Sequence, residues 1–445
     1  MRVQNDAEPF TPVPDPVTGD SSISVWGGVE CTCNRVGDRY FDQLDFSGHH
    51  ERQNDLEAIA SLGIGTLRVG IPWERHFRDP LWKNSDASFE TMRRLGIRPI
   101  AGLVHHGSGP EHTNLLDPNF PELLADYAAQ VARRYPWIDA YTPVNEPHTT
   151  ARFSGLYGVW YPHHMSQTSY FRALLNELKG TVLSMRKIRE VQPEAQLIQT
   201  EDFGFTSGTE ELRPVWSLLN LRRWLPVDLL CGAVGAEHPL YPYLIFRGIS
   251  PAEILWFQDN PCPPDIIGIN YYVTSDRFLD HRVDRYSADR RSAEGPFVDV
   301  EAVRAPSGMF SGFEGVLLDA WKRYLIPVAI SEVHLGGPTY DQIRWAAEAW
   351  EGVMKARKHG ASCAAITFWA LLGSFYWDKL VTCENGHYEH GAFELRDGAP
   401  IPTELASFIR ELAAGSPPRH PALSEQGWWR SEQRFCFGTP NSLAA

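Results

Sequence analysis

Short runs of strand-forming residues alternate along the chain with longer amphipathic segments. Eight such runs, bounded by glycine, proline and polar residues, predict β-strands at 22–30, 66–73, 98–106, 140–146, 195–202, 265–272, 327–333 and 364–372. Apolar residues at helical spacing predict helices between them, including 52–63, 122–135, 340–360 and 403–415.

This alternation predicts an α/β fold with parallel strands and crossover helices. Eight strand–helix units fit a single closed (β/α)8 TIM barrel better than an open sheet. An open doubly wound sheet usually has a glycine-rich phosphate turn after its first strand, and WGGVECTCN at 26–34 does not match GxGxxG. The long stretches 203–264 and 276–312 predict extended βα loops, the first with one or two extra helices.

The 445 residues suffice for one barrel with insertions, so we predict a single folded unit. Residues 1–20 contain four prolines and few large apolar residues, which predicts a flexible N-terminal arm. The barrel is expected to span residues 21–414. Residues 415–445 are predicted to form an irregular C-terminal tail that packs on the barrel through Trp428 and Trp429.

The net charge of -14 argues against nucleic acid and anionic membrane surfaces as partners. No apolar run reaches membrane-spanning length, and the N-terminus has no signal-peptide pattern. Seven scattered cysteines indicate reduced thiols. We therefore expect a cytoplasmic protein without metal or other cofactors, and the sequence leaves a homo-oligomer open.

Polar and aromatic side chains are concentrated where the predicted strands end. In a (β/α)8 barrel these carboxyl ends form the site of chemistry. Buried carboxylates are costly unless they are paired, so a purely structural protein has little reason to place them there. Carboxylates, amides and imidazoles bind sugar hydroxyls, and tryptophan rings cover sugar CH faces, so we expect a carbohydrate substrate.

Glu146 and Glu332 follow strands that lie roughly opposite one another in a barrel of eight. Two carboxyl groups about 5–5.5 Å apart define a retaining glycosidase, in which one attacks the anomeric carbon and the other acts as acid and base. Glu201 and Asp202 are an alternative pair for an inverting arrangement, which needs about 6.5–9.5 Å. The grouping of His387, Glu389 and His390 favours polar lining over a metal site.

Seven motifs, in order along residues 22 to 410, resemble those of family 1 glycoside hydrolases of the β-glucosidase type. They include TPVNEP beside T-F-N-E-P, AISEV beside I-T-E-N-G, and DIIGINYY beside D-F-L-G-I-N-Y-Y. TLRVGIPWER, GLVHHGSGP and ITFWALLGSFYW resemble the family's second-, third- and eighth-strand motifs. The resemblance implies that Glu146 is the acid/base and Glu332 the nucleophile.

The resemblance also implies substrate contacts around this pair, from Arg68, His105, Asn145, Asn270, Tyr272, Trp369 and Trp377. The resemblance implies that Asn145 binds the sugar 2-hydroxyl and that Arg68 and Tyr272 lie beside the nucleophile. The two tryptophans are sugar platforms.

The chain differs from the family pattern at positions that contact the glycone in the family. Glu30 stands where the family has a glutamine for the 3- and 4-hydroxyls, and Tyr376 where it has a glutamate for the 4- and 6-hydroxyls. His106 replaces a tryptophan, and Val333-His334 replaces Asn-Gly. A modified glycone, such as a 6-deoxy sugar, is therefore the hypothesis for the substrate. A transglycosidase would use the same residues, and a carbohydrate-binding pseudoenzyme of polysaccharide biosynthesis is the alternative from another class.

Overall fold

The computed structural model of the protein describes residues 23–52, 54–78 and 82–438. The arm predicted at residues 1–20 lies outside the described residues. The eight predicted strands are confirmed, and together they form one closed barrel. In chain order they are β1 (Ser24–Gly28), β2 (Thr66–Gly70), β3 (Arg98–His105), β4 (Ala140–Asn145), β5 (Gln196–Asp202), β6 (Ile266–Asn270), β7 (Val328–Val333) and β8 (Cys363–Phe368).

Each strand pairs with its neighbour in sequence, and β8 pairs with β1 to close the ring. Every pairing in the ring is parallel. All eight carboxyl ends therefore open at one face, as the (β/α)8 prediction requires.

Helices surround the barrel and fill its longer loops. Within the described residues the α-helices are Gln43–Ser47, Asn54–Ala60, Trp73–Arg78, Lys83–Leu95, Phe120–Arg134, Pro147–Ala151, Gln167–Arg189, Arg213–Arg222, Leu225–Leu230, Tyr241–Phe246, Pro251–Asp259, Gly312–Tyr324, Thr339–Lys358 and Glu404–Ala413.

Helix Phe120–Arg134 shows why these segments fold as predicted. A proline in its first turn loses no hydrogen bond there, because that N–H has no partner inside a helix. Leu124, Ala128 and Val131 recur on one face and are fully buried. Burying a leucine of this kind contributes about 1.5–3 kcal/mol.

A separate apolar cluster fills the inside of the barrel. Seven of the eight strands contribute one side chain each, namely Trp26, Ile100, Ala140, Ile198, Ile266, Ala329 and Ala365. The barrel is thus a packed core, and a ligand site can form only above this layer, at the mouth.

The loops after β5 and β6 form the largest additions to the barrel. The segment 203–264 contains four α-helices, more than the one or two predicted. Strand Thr206–Gly208 pairs with Arg277–Asp280, which also pairs with Val298–Glu301, so the two loops share a three-stranded sheet. This sheet holds both loops as one wall beside the mouth.

Two strands, β2 and β8, end three or more residues earlier than their apolar runs predict. β2 ends at Gly70 because Pro72 has no N–H to donate, and a helix begins at Trp73. β8 ends at Phe368 because the chain turns at Ala370, whose φ is +51°.

The described part of the tail, residues 415–438, contacts the helix Thr339–Lys358. Trp429 is 3% exposed, and its indole N–H donates to Glu348 at 2.7 Å. Its ring packs edge-on against Trp345. Across the described ranges, the helices are either too short or too polar to cross a bilayer.

Candidate active site

Glu146 stands at a sharp turn between β4 and the helix Pro147–Ala151. Its φ of +44° is left-handed, which is costly for a residue with a side chain. The turn is held because the Glu146 N–H donates to the Thr200 carbonyl at 3.2 Å. Pro147 fits the first helical position, where no N–H is needed. The Asn-Glu-Pro sequence therefore ends a buried strand and directs a carboxyl group, 5% exposed, into the mouth.

Glu332 lies near the end of β7 and is 2% exposed. A register shift between β7 and β6 places it opposite Asn270. Its Oε1 accepts a hydrogen bond from Nη1 of Arg68 at 2.9 Å. Its Oε2 accepts one from the hydroxyl of Tyr272. Both oxygens are thus held by donors, which stabilises the ionised form.

One set of hydrogen bonds connects the two acids. Nη2 of Arg68 donates to Oδ1 of Asn145 at 2.9 Å, and Nδ2 of Asn270 lies 3.4 Å from the same oxygen. Nδ2 of Asn270 also donates to Oε1 of Glu146 at 2.5 Å. We call Arg68, Asn145, Glu146, Asn270, Tyr272 and Glu332 the carboxylate network.

The two carboxyl groups differ in how strongly they hold a proton. Burial raises the pKa of Glu332 to about 7, and the charge and hydrogen bonds of Arg68 and Tyr272 limit that rise. Burial raises the pKa of Glu146 well above its usual value, and the negative charge of Glu332 raises it further. Glu332 therefore loses its proton first, and Glu146 keeps one.

Tryptophan rings and Glu30 form a second group at the mouth. The Trp369 ring stacks on His105 with centroids 5.2 Å apart, and the Arg68 guanidinium lies 4.8 Å from its centroid. The indole N–H groups of Trp369 and Trp377 both donate to Oε2 of Glu30, at 3.4 and 3.0 Å. The predicted glycone contacts from β1, β3 and β8 are therefore brought together.

Both histidines after β3 are neutral. Burial lowers the pKa of His105 well below its usual value and that of His106 to about 3. Nε2 of His105 lies 3.2 Å from Nδ2 of Asn145. Nε2 of His106 lies 4.0 Å from Oε2 of Glu146, while its Nδ1 pairs with the Thr150 hydroxyl at 2.9 Å. Each ring can thus offer one donor or acceptor without adding charge.

Sequence reasoning missed two hydroxyl groups that orient the amides of the network. The Thr200 hydroxyl donates to Oδ1 of Asn145 at 2.8 Å. The Ser331 hydroxyl donates to Oδ1 of Asn270 at 2.6 Å, which fixes that amide with its N–H groups toward Glu146. Their only sequence signal is that small polar residues interrupt otherwise apolar strands near the carboxyl end.

Tyr376 is the predicted site residue that the structure places apart from the network. Its φ is +62°, and its ring packs edge-on against Phe46 with centroids 5.0 Å apart. Phe375 is its other aromatic neighbour. Among the described residues, none of its contacts joins it to the carboxylate network. Its contact with the glycone stays a prediction.

The alternative acids have other partners. Glu201 is fully buried and accepts the His148 N–H at 2.7 Å, so it supports the turn after Glu146. Asp202 accepts from the Gly204 N–H at 2.8 Å. Glu389 lies 3.1 Å from Nε2 of His387 and accepts its hydrogen bond. No group of three or more metal-ligating side chains is found in the part of the chain that the structure describes.

Comparisons with known proteins give relatives of low identity and a shared fold. No protein-family model matches the chain. It is 23% identical over 265 residues to a 6-phospho-beta-glucosidase of Dickeya chrysanthemi, covering 55% of this chain and 56% of that protein. It is 22% identical over 329 residues to a 6-phospho-beta-glucosidase of Clostridium longisporum, covering 66% of each. The chain thus spans between about half and two thirds of these curated relatives.

Solved structures match over nearly the whole length. A family 1 β-glucosidase from Thermotoga maritima has a TM-score of 0.71 at 16% identity, covering 89% of this chain and 98% of that one. A β-glycosidase from Pyrococcus horikoshii has a TM-score of 0.69 at 16% identity, covering 93% and 98%. The chain resembles the family 1 glycoside hydrolases. The resemblance predicted from the motifs is confirmed.

Two of the departures from the family 1 pattern, Glu30 and His106, both contact Trp377. Glu30, in place of the family's glutamine, is an acceptor for two indole N–H groups. His106, in place of its tryptophan, packs against Trp160 and Trp377. The carboxylate network has the residue types of the family 1 motifs, whereas the glycone side keeps His105 and Trp369 and differs at Glu30 and His106.

Proposed function

We propose that this chain is a retaining β-glycoside hydrolase in which Glu332 is the nucleophile and Glu146 the acid/base. The observation that carries the proposal is the carboxylate network. One buried acid accepts hydrogen bonds from Arg68 and Tyr272, which favour its ionised form, and the other, linked to it by two asparagines, has its pKa raised by burial and by the charge of Glu332. The relatives and neighbours named 6-phospho-beta-glucosidase, β-glucosidase and β-glycosidase support a glycosidase.

The network divides the reaction into two displacements. A Glu332 oxygen forms a bond to C1 while the glycosidic C1–O bond breaks, and the proton of Glu146 passes to the leaving oxygen. Because Asn270 donates to Oε1 of Glu146, the proton belongs on Oε2. Water then attacks C1, Glu146 accepts its proton, and the bond to Glu332 breaks. Neither displacement needs a cofactor.

Tyr272→Phe is expected to move the acidic limb of the kcat/KM profile to higher pH. In the wild type, activity rises with pH as Glu332 ionises with a pKa of about 7. A hydrogen bond to a charged group contributes about 1.5–3 kcal/mol, so losing the phenol should raise this limb by about 1–2 pH units.

The measurement is kcat/KM against pH for an aryl β-glycoside. Tyr127→Phe is the matched control, since that buried hydroxyl donates to the Ile71 carbonyl instead. An unshifted acidic limb in Tyr272→Phe, with a stable fold, would argue that Tyr272 does not stabilise the ionised nucleophile.

We propose a glycone modified at carbon 6, with a 6-deoxy sugar as the first candidate. An aromatic residue, Tyr376, replaces the carboxylate that reads the 6-hydroxyl in family 1, and it packs against Phe46. The names of the relatives favour a second candidate, a 6-phosphorylated glucoside. Arg39 is a cation near Tyr376, but it pairs with Glu384, whose negative charge acts on Tyr376 more strongly, so the 6-deoxy sugar stays the first candidate.

A panel of aryl β-glycosides separates these sugars. It should contain unmodified, 6-deoxy and 6-phosphorylated members with one common aglycone. We expect kcat/KM to be highest for a 6-modified sugar. A clear preference for unmodified glucose would contradict the assignment of carbon 6 while leaving the hydrolase proposal intact.

Covalent trapping tests the mechanism itself. The 2-deoxy-2-fluoro derivative of the preferred sugar should leave a glycosyl adduct on Glu332, identified by peptide mass spectrometry. A pseudoenzyme or an inverting enzyme forms no such adduct. A transglycosidase forms it as well, and product analysis with and without added acceptor sugars separates transfer from hydrolysis.

A further inference from the structure

A polar cavity lies beside the turn that carries Glu146. Four arginines line it, Arg152, Arg222, Arg223 and Arg277, together with three acids, Asp202, Glu294 and Asp299. The three-stranded sheet contributes Arg277 and Asp299, so the long loops after β5 and β6 form its outer wall. The carboxylate network uses none of these residues.

Three of the four guanidinium groups are paired with carboxylates. Arg222 makes two hydrogen bonds of 2.8 Å with Glu294. Arg223 donates to Asp319 at 3.0 Å. These pairs are structural, because their charges cancel and their geometry is fixed. The pair of Arg277 with Asp299, at 2.8 Å, is of the same kind.

Arg152 has no carboxylate partner within 4 Å among the described residues. Its Nη2 donates to the Thr149 hydroxyl at 3.3 Å, and its Nε is buried without a hydrogen-bond partner in the described chain. The negative charge of Asp202 helps raise the pKa of Arg152, but Asp202 makes no ion pair with it within 4 Å, and burial raises the pKa of Asp202 and so weakens this compensating charge. A partly buried cation of this kind is costly unless an anion joins it.

The position of Arg152 fixes which part of a substrate it can meet. It begins the π-helical turn Arg152–Leu156, which continues directly from the helix after Glu146. Six helical residues rise by about 9 Å, roughly the length of one sugar or aryl group. Glu146 must touch the leaving oxygen, so a leaving group that passes Glu146 on this side reaches the cavity. Single π-turns of this kind recur at functional sites.

We propose that this cavity binds an anionic group on the leaving-group side of the substrate, with Arg152 as the cation that receives it. The ligand chemistry is an oxyanion, either a carboxylate or a phosphate ester, bound by guanidinium N–H groups. This inference rests on the proposed hydrolase function and names its substrate class: a β-glycoside with an acidic aglycone.

Binding of free anions tests whether the cavity is an anion site, independently of catalysis. Sodium benzoate and sodium phosphate are titrated into the full chain by calorimetry, and the tighter of the two identifies the class of oxyanion. Arg152→Met should weaken binding about tenfold or more, and Arg152→Lys should weaken it less. Arg98→Met is the matched control, because Arg98 pairs with Asp139 at the opposite end of the barrel. Equal binding by all four proteins, or none by the wild type, overturns the proposal.

Glycosides with charged and neutral aglycones test whether the cavity binds the leaving group. With the preferred glycone, the 4-carboxyphenyl and 4-(phosphonomethyl)phenyl glycosides are compared with the neutral 4-carbamoylphenyl glycoside. Arg152→Met should raise KM and lower kcat/KM about ten- to hundredfold for the glycoside with the preferred anion, and less than about twofold for the neutral one. Equal losses on both, with unchanged thermal unfolding, would show a merely structural role and overturn the proposal.

The two proposals fail in different ways. If the wild type hydrolyses none of these glycosides while anion binding still depends on Arg152, the hydrolase function fails and the cavity remains an anion site. If hydrolysis and trapping on Glu332 succeed but the charged and neutral aglycones respond alike to Arg152→Met, only the leaving-group assignment fails.

Discussion

Glu332→Gln is expected to lower kcat/KM by about 10⁵-fold or more, because an amide cannot form the covalent intermediate. The loss should come without unfolding. The amide carbonyl can still accept from Arg68, and the Tyr272 hydroxyl can accept from the new amide N–H. Thermal unfolding and kcat/KM, measured on the same preparation, separate chemistry from stability.

Glu177→Gln is the matched control for this change. Glu177 is fully buried, both its carboxyl oxygens lack hydrogen-bond partners in the described chain, and burial raises its pKa well above the usual value. Burial therefore favours its neutral form, and the amide should leave activity within a few-fold. Removing a comparable buried carboxyl elsewhere thus measures the generic cost of the substitution.

Glu332→Gly adds a stereochemical test. Without the carboxylate, azide can enter the vacated space and attack C1 with a single inversion, so a β-glycoside should give an α-glycosyl azide. A β-glycosyl azide from this variant, or a Glu332→Gln enzyme that keeps more than about a hundredth of its activity, would contradict the nucleophile assignment.

The barrel was predictable because it depends on pattern alone. Eight apolar runs separated by amphipathic helices leave little choice of architecture, whereas strand ends depend on single residues. The apolar run through Leu371 and Leu372 continues past the end of β8, and only the backbone turn at Ala370 shows where pairing stops. Apolar residues after that turn pack in the core without belonging to a strand.

The residue types of the site were predictable, but their partners were not. Strand ends point to Glu332 and Asn270, yet their juxtaposition depends on a register shift between β7 and β6. A one-residue shift reverses which side chains face the mouth, and nothing in AISEV or DIIGINYY signals it. The hydroxyl groups of Thr200 and Ser331 were missed for the same reason.

The arginine cavity was beyond sequence reasoning altogether. Arg152, Arg222 and Arg277 come from three different segments, and each is unremarkable in its local sequence. The sheet that joins the loops after β5 and β6 supplies Arg277, the helix Arg213–Arg222 supplies Arg222, and the turn Arg152–Leu156 supplies Arg152. The packing of Tyr376 was not predictable either, since nothing in its motif signals the left-handed turn that packs its ring on Phe46.

Glu146→Gln is expected to show a loss that depends on the leaving group. For a poor leaving group, general acid catalysis contributes about 10²–10⁴-fold to kcat/KM, and the variant should lose that amount. A dinitrophenyl glycoside leaves without protonation, so its kcat/KM should change little. The Asn270 N–H can still donate to the amide carbonyl, which keeps the network in place.

The pH dependence of kcat/KM in Glu146→Gln is an independent test of the role of Glu146. In the wild type, kcat/KM is expected to fall at high pH as Glu146 loses the proton that burial and Glu332 help it keep. Glutamine cannot ionise, so the alkaline limb should disappear while the acidic limb of Glu332 remains.

Glu201→Gln tests whether Glu201, rather than Glu146, is the proton donor. Burial raises the pKa of Glu201 to about 8, so it too is protonated near neutral pH. It accepts the His148 N–H, and its replacement should weaken the turn at Glu146 without removing the alkaline limb. If instead the alkaline limb vanished in Glu201→Gln and survived in Glu146→Gln, Glu201 would be the proton donor. The catalytic pair would then be Glu201 and Glu332. The distance between those two carboxyl groups would decide between retention and inversion at C1.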